Sequence, residues 1–535
     1  MEPAAFLASA LPELGVLAAA ACAAMALVAR DDRCRSEAMV AALVLAAVVL
    51  VGHIHDTEQF RDISGSPSRL LAAIVIGTGA IVALATLFTR SSHAFALIAI
   101  AVLPFRVPVA AAGTTANLLV PLYFVIAGGC AASLWARMHR SGEVQRRERS
   151  GLEIALAAFI VVYTLQALYS RDFDVALEQV VFFLVPFAVL FRLLTQVTWT
   201  RTLIVRCLAV LVVEALVFSA IGFWEYDRRE LFWNPKVIAS NQFDSFFRVN
   251  SVFWDPNIYG RFLVLTMLGL VALMLWSGRT RVAIGTAAAL AVLWGGLVLT
   301  FSQSSFVALL AGLAVLAALR WNVRKTLLAA GAALATGLVF VLAFQGALNI
   351  ELGSSAGVDK VTSGRGTLIS GGLSLFGDRP VWGYGSGAFG RAYRQEQHGN
   401  QQQSVSASHT LPVTVAAEQG LIGLAAYALV MICALFALLG NDRHRSAVSE
   451  RGPPQPSAER SDADAAEPVV LLPARAAIAA AFVALLVHTM AYAAFLEDPF
   501  AWVLMAAGLS LAALAGQKNR EAEPSLHKPV IPLAE

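Results

Sequence analysis

The chain has 535 residues, of which 58% are hydrophobic and 14% are charged, and its mean hydropathy is +0.69. A soluble domain carries about a quarter charged residues, so this composition excludes a soluble globular protein and predicts an integral membrane protein. The net charge of +3 is small and gives no reason to expect a nucleic-acid partner.

Long apolar runs recur along the whole chain. A membrane-spanning helix needs about 20 mostly apolar residues, and about 15 segments come close to that requirement. We therefore predict an all-α, polytopic bundle in contact with membrane lipids, with a large outer loop that contains short amphipathic helices. The weakest span is 93–110, which is interrupted by Pro104, Arg106 and Pro108. The predicted spans are 12–29, 37–54, 69–89, 93–110, 116–136, 152–169, 175–195, 202–223, 259–277, 282–301, 304–319, 326–345, 411–439, 474–494 and 499–516.

Arginine and lysine are concentrated on alternate loops, which sets the expected orientation. Short basic loops stay in the cytoplasm, so the two long polar loops, 224–258 and 346–409, are expected to share the outer face. The predicted organisation is N-terminal transmembrane helices (1–200), a core (201–439) carrying both outer loops, a disordered cytoplasmic linker (440–473), C-terminal transmembrane helices (474–516) and a disordered tail (517–535).

The five cysteines lie in or beside predicted spans at unrelated positions, and none falls in an outer loop. Neither disulfides nor a zinc site is predicted from them. The outer loops also lack a cluster of carboxylates suited to a divalent cation. We therefore expect no metal and no cofactor.

The first outer loop is rich in aromatic residues, as expected of a segment at the membrane interface. Arg248 precedes its Asp-Pro-Asn turn, which ends at Asn257 and begins the next span. A planar guanidinium at headgroup depth binds two phosphate oxygens at once. The alternative is that such an arginine binds lipid headgroups or pairs with a carboxylate.

The second outer loop contains the remaining candidates. Arg365 stands at the start of a predicted amphipathic helix, Gly366–Phe376, and glycine-rich turns and Arg391 follow. His409 precedes the next span, where its imidazole can take a proton from a hydroxyl; the alternative is an interfacial or helix-capping histidine. Glu418 falls within the first turns of that span, where a buried carboxylate needs a partner.

Other polar residues in or beside the predicted spans are scattered without the spacing of a proton relay, and we interpret each as structural. A weaker signal is the serine run 302–305, which falls in a short outer turn and could line a sugar path. The scattered polar residues are Arg206, Glu214, His488 and the pair Glu497–Asp498.

Several of these elements occur in an order that resembles the O-antigen ligase and O-antigen polymerase superfamily, over roughly Phe246 to Trp502. Two departures stand out: Gln303 follows Ser302 where the family often has arginine, and Thr410 follows His409 where it often has asparagine. The matching elements are Arg248 with Pro256-Asn257, the Thr-x-Ser run at 300–302, Arg365, the Pro380-x-x-Gly-x-Gly turn, His409, and Glu418-x-Gly420-x-x-Gly423.

The resemblance implies a glycosyltransferase of the bacterial inner membrane, with its active site facing the periplasm. Its donor would be an undecaprenyl-diphosphate-linked glycan, and its acceptor either lipid A–core (ligase) or another lipid-linked repeat (polymerase). Arg248, Arg365, Asn257 and Arg391 would bind the diphosphate or glycan. His409 would be catalytic and Glu418 would support the site, in a metal-independent, inverting transfer. The alternatives are a transporter or flippase of lipid-linked oligosaccharide and a protein O-oligosaccharyltransferase of the same superfamily.

Overall fold

The structure is a computed structural model, and it is built almost entirely of helices. It describes residues 3–55, 60–61, 64–111, 114–139, 149–232, 247–321, 323–326, 328, 331, 365–396, 408, 410–440, 462–492 and 494–522.

The N-terminal part contains eight α-helices, one π-helical segment (Gln179–Leu184) and one antiparallel hairpin. In the hairpin, β1 (Val107–Ala111) pairs with β2 (Thr114–Leu118). The helices are α1 (Pro3–Val28), α2 (Asp32–Ile54), α3 (Pro67–Arg90), α4 (Ser92–Val102), α5 (Val120–Met138), α6 (Gly151–Ala167), α7 (Phe173–Glu178) and α8 (Val185–Leu194).

The remaining described residues form nine further helices. Two of them, α13 and α14, belong to the second outer loop. The helices are α9 (Arg201–Arg228), α10 (Pro256–Ser277), α11 (Thr280–Leu299), α12 (Gln303–Arg320), α13 (Arg365–Asp378), α14 (Phe389–Glu396), α15 (Leu411–Leu439), α16 (Asp462–His488) and α17 (Pro499–Ala522).

The described helices confirm the all-α, polytopic membrane class. Eleven segments in the described residues are long and apolar enough to cross a membrane. Two more predicted spans, 152–169 and 499–516, are helices whose apolar parts, Gly151–Ala167 and Pro499–Ala515, are shorter. Most of 326–345 lies outside the described residues, so the count of about 15 is not confirmed.

The predicted span 93–110 is wrong. Helix α4 ends at Val102 and the chain enters β1 at Val107. Pro104 and Pro108 explain the change, because proline lacks the N–H that a continuing helix needs. The chain therefore turns back as a hairpin, and Arg106 stands at the turn between α4 and β1.

Helix α16 lies between two hydrophobic clusters. Phe482 and Leu485 belong to the larger cluster, built with the N-terminal helices, α15 and α17. Ala476, Ala480 and Ala484, which recur every four residues, belong to the cluster built with α9 to α12. Small side chains at this spacing let helices approach closely in lipid, so the C-terminal end of α16 is held in the middle of the bundle.

Helix α16 begins at Asp462, inside the segment predicted to be a disordered linker (440–473), of which 441–461 lie outside the described residues. Helix α17 likewise continues to Ala522, past the start of the predicted tail. Both helices therefore extend beyond their hydrophobic parts into segments that were predicted to be disordered.

The outer-loop segments meet at one end of the bundle. The Val249 N–H donates to the Leu299 carbonyl at 3.1 Å, and the Leu411 N–H donates to the Thr489 carbonyl at 3.3 Å. Helix α13 confirms the predicted helix in the second loop, and its Leu375 is buried in a third cluster with Phe389. This end of the bundle, which carries the loops predicted to face outward, is called the outer end below.

Candidate functional site

The start of α10 fixes the first candidate residues. Asp255 is its N-cap and accepts the Asn257 N–H at 2.6 Å, and Pro256 occupies the first turn, a combination that favours a sharp helix start. Arg248 then reaches this turn: its Nε donates to the Thr300 carbonyl at 3.0 Å and its Nη2 to Asn257 Oδ1 at 3.3 Å. The structure thus brings Arg248 and Asn257 into contact, and their substrate-binding roles stay a prediction.

The serine run extends this contact into the bundle. Ser302 caps α12 by accepting the Ser305 N–H, and its hydroxyl donates to Asn257 Oδ1 at 2.8 Å. Ser304 lies 3.2 Å from Ser302 between their Oγ atoms and hydrogen-bonds His488 Nε2 at 3.2 Å. Ser302, Ser304 and His488 are each at most 4% exposed. The run therefore connects Asn257 to the end of α16.

The residues just after His488 contact the segment that contains the predicted catalytic residue. Thr410 Oγ1 donates to the Met490 carbonyl at 3.0 Å, and Ser408 Oγ donates to the Thr410 carbonyl at 2.8 Å. His409 itself and the side chain of Arg365 lie outside the described residues. The structure does describe residues next to them. Gly372 of α13 packs close to Ser408, so the start of α15 and helix α13 meet beside the end of α16.

A buried ion pair lies next to the series of hydrogen-bonded side chains that runs from Asn257 through Ser302 and Ser304 to His488. Arg261 Nη2 lies 2.6 Å from Asp498 Oδ2, and the two side chains are 4% and 3% exposed. Among the described residues, Arg261 Nη1 has no hydrogen-bond partner. Tyr492 lies between this ion pair and His488. The centroid of its ring is 5.6 Å from that of the His488 ring and 5.9 Å from the guanidinium carbon of Arg261.

An apolar groove lies between α4, α9, α10, α16 and α17. The groove encloses about 180 Å³ and presents almost only hydrocarbon. A smaller cavity lined by Arg106, Arg261 and Asp498 shares Leu103 and Phe500 with it. The apolar groove therefore adjoins a small cavity that contains two guanidiniums and one carboxylate.

The two glycine motifs fit together around a break in α15. At Gly420 the backbone has φ 62° and ψ −160°, inside an otherwise helical segment, a conformation that is essentially limited to glycine. The Leu421 N–H donates to the Pro380 carbonyl at 2.8 Å, and the Gly385 N–H to the Glu418 carbonyl at 2.8 Å. The Pro380 turn thus satisfies backbone groups that the break exposes.

The Glu418 side chain contacts the residues that directly follow this turn. Its carboxylate accepts the Gly387 N–H and the Phe389 N–H, each at 3.0 Å. Phe389 begins α14, so Glu418 caps that helix, where a negative charge is favoured. The structure therefore gives Glu418 a positioning contact within the second outer loop.

Arg391 is placed elsewhere. Its Nη1 donates to the Arg171 carbonyl at 2.7 Å, in the loop between α6 and α7. Burial raises the pKa of the neighbouring Asp172, and the Arg391 charge opposes that rise. The observed contact is structural, and the predicted substrate-binding role of Arg391 stays a prediction.

A further carboxylate, Glu497, borders a cavity under the Pro380 turn. Burial raises its pKa above the ordinary value, while a hydrogen bond from Gln179 and the charges of Arg106 and Arg261 lower it. Among the residues that the structure describes, no cluster of three or more His, Cys, Asp or Glu side chains is arranged to hold a metal ion.

Sequence reasoning missed the contributions of His488, Arg261 and the pair Glu497–Asp498. One signal was available: each is an ionisable residue at or near a helix end in an apolar chain, which is costly unless partnered. Their spacing along the chain does not reveal the partners, because Ser304 and His488 are 184 positions apart.

Comparison with known proteins gives one positive result. No curated protein matches the chain. Residues 288–428 match the model of a family described as O-antigen ligase. That range contains the Thr-x-Ser run, Arg365, the Pro380 turn, His409 and the Glu418 motif, and it leaves out Arg248 and His488. The resemblance of the chain to the O-antigen ligase and polymerase superfamily is therefore confirmed over residues 288–428.

Proposed function

We propose that the protein is a membrane glycosyltransferase that moves a glycan from an undecaprenyl diphosphate carrier to a saccharide acceptor. The reaction takes place at the outer end of the bundle, facing the periplasm from the bacterial inner membrane. The observation that carries the proposal is the convergence of Arg248, Asn257 and His488 with the segment that contains His409. The acceptor is lipid A–core or a second lipid-linked repeat.

The apolar groove supports a donor with a long hydrocarbon chain. The groove lies among the bundle helices, and the small cavity that contains Arg106 and Arg261 adjoins it. A ligand with a hydrocarbon tail and an anionic head matches this sequence of surfaces. The unpartnered Nη1 of Arg261 offers one donor to such a head, since a buried guanidinium N–H is costly to leave unpaired.

The chemistry needs charge neutralisation and a base. The acceptor oxygen attacks the anomeric carbon, the bond from that carbon to the diphosphate oxygen breaks, and the diphosphate leaves on its polyprenyl carrier. Arg248 and Arg365 hold the diphosphate and stabilise the negative charge that develops on it. His409 takes the proton of the acceptor hydroxyl. A single displacement inverts the anomeric configuration.

The direct test uses purified protein in liposomes with a lipid-linked oligosaccharide donor and a saccharide acceptor. We expect elongated product and release of the carrier diphosphate, with inverted anomeric configuration by NMR. Transbilayer movement of the donor without product would contradict the proposal and support a flippase. Glycan attached to an added periplasmic protein instead would identify the protein-glycosylating alternative.

Replacing Arg248 by Ala is expected to lower transfer by roughly 100-fold, as removal of one preorganised charge donor typically does. Arg248→Lys is expected to recover only part of this loss, because a single ammonium cannot reproduce the planar fork. Initial rates in the liposome assay measure the effect. Arg228→Ala, an exposed arginine at the outer end of α9, is the control. Equal rates for Arg248→Ala and Arg228→Ala would refute the role of Arg248.

A further inference from the structure

The cavity under the Pro380 turn is lined by oxygen atoms from several elements. It encloses about 110 Å³ between α6, the π-helical segment, α15 and the 494–497 loop, well above the roughly 10–15 Å³ that one water molecule needs. The lining contains no Lys, Arg or His, and its polar groups come from Tyr163, Gln179, Thr414, Glu418, Gln419, Tyr427 and Glu497. The lining is therefore rich in hydrogen-bond acceptors.

Two of these groups lack partners. Gln419 is 1% exposed and Tyr427 is 4% exposed. In the described part of the chain, Gln419 Oε1 and Tyr427 Oη make no hydrogen bond. A buried polar atom without a partner costs about 1–3 kcal/mol. Both residues line this cavity, so an occupant that satisfies oxygen atoms would relieve the cost at both.

The charges around the cavity do not balance. Glu418 and Glu497 face it, and Asp498 adjoins them. Arg106 and Arg261 are close enough to attract Glu497, and Arg261 is already paired with Asp498. Three carboxylates against two guanidiniums leave one negative charge to be neutralised.

The next ring of charges does not supply the missing cation. Asp172, which also acts on Glu418, is itself attracted by Arg391 and Arg394. Arg171, the remaining guanidinium of that loop, pairs with Glu396 at 3.0 Å. With Asp174, which acts on Asp172, three carboxylates and three guanidiniums of this region offset one another.

The break in α15 also favours a cation in this cavity. Irregular backbone at membrane depth is tolerated where it lines a cavity. Broken helices recur at sites for small cations, because the interrupted helix end brings carbonyl oxygens and negative dipole ends together. Glu418 and Gln419 directly precede the break at Gly420, so the electronegative end of the first half-helix lies at this cavity.

We propose that the cavity is a binding site for one monovalent alkali cation, Na⁺ or K⁺. Two carboxylates with neutral amide and hydroxyl oxygens suit a hard, singly charged ion that keeps part of its water. A single positive charge matches the imbalance. The site lies beside the outer-end cluster, and a cation there would fix the Pro380 turn through Glu418. The inference does not depend on the transfer reaction.

The test is thermal unfolding of the full-length protein in nanodiscs, with NaCl or KCl titrated against choline chloride at constant ionic strength. We expect a saturable rise of several degrees in the midpoint with Na⁺ or K⁺ and none with choline, because a ligand that binds the native state stabilises it by mass action. An equal rise in choline would overturn the proposal, and so would tighter stabilisation by Mg²⁺.

Variants localise the effect. Glu497→Gln is expected to abolish the cation-dependent rise. Tyr427→Phe, which removes only a hydroxyl, is expected to raise the half-saturating concentration several-fold. Glu214→Gln alters a carboxylate on α9, which does not line the cavity, and is expected to keep the full response. A Glu497→Gln protein that keeps the rise would refute the site, as would a wild-type response to pH alone with none to cations, which would mean that a proton balances the charge.

Discussion

The His409→Ala protein is expected to transfer glycan at least about 100-fold more slowly than the wild type, since a positioned general base contributes roughly 10²–10⁴-fold. The anchoring of its neighbours supports this expectation: Ser408 is buried, and Thr410 bonds to Met490. The bond of Thr410 is to a residue two positions after His488, which itself contacts Ser304. The liposome assay gives the rate, and surface polysaccharide in a deletion strain gives the consequence in cells.

Two comparisons separate catalysis from structure. His409→Gln retains a hydrogen-bonding side chain but cannot accept the proton, so it is expected to be as slow as His409→Ala. His139→Ala alters an exposed histidine at the end of α5 and is expected to match the wild type. Full-length polymer at wild-type amounts from a correctly inserted His409→Ala protein would remove His409 from the mechanism.

Replacing Gly420 or Gly383 by Ala is expected to destabilise the protein by roughly 2–6 kcal/mol, combining about 1–3 from the backbone conformation with about 1–3 from overpacking. Both have positive φ, 62° and 68°. A Cβ at Gly420 would overlap the Val381 carbonyl, and one at Gly383 would overlap the Glu418 carbonyl. The thermal midpoint of the purified protein and its yield in membranes measure the loss.

Gly377→Ala is the matched control for these substitutions. Gly377 lies in α13, close along the chain, with nothing within 4 Å of an added Cβ. Alanine favours helix by about 1 kcal/mol over glycine, so this variant is expected to be at least as stable as the wild type. A Gly420→Ala protein of wild-type stability would show that the broken-helix geometry is not required.

The sequence predicted what composition and local order control. Apolar length predicted the membrane class, and motif order predicted the resemblance that residues 288–428 confirm. The failure at 93–110 has a local cause, since hydropathy counts apolar residues while Pro104 and Pro108 prevent the helix from continuing. The start of a helix at Asp462 was not predicted for the opposite reason. Its first turns are polar and resemble a linker, although they continue into an apolar helix.

The partners of buried polar groups were beyond sequence reasoning. His488 has no special spacing, and only the packing of α16 between two clusters brings it to Ser304. The same holds for Arg261 and Asp498, which come from α10 and the loop before α17. Glu418 was expected to need a partner, but that the partners would be two backbone N–H groups across the Pro380 turn depends on the three-dimensional path of the loop.

The contribution of α16 and α17 has a consequence for biogenesis. Helices enter the membrane in the order of synthesis, and Arg248, the serine run and His409 are all made before residue 440. His488 and Asp498 arrive only with the final two helices. A chain whose synthesis or insertion stops early therefore contains every recognisable motif but not the buried contacts that join them, so assembly of the site is itself a checkpoint on complete insertion.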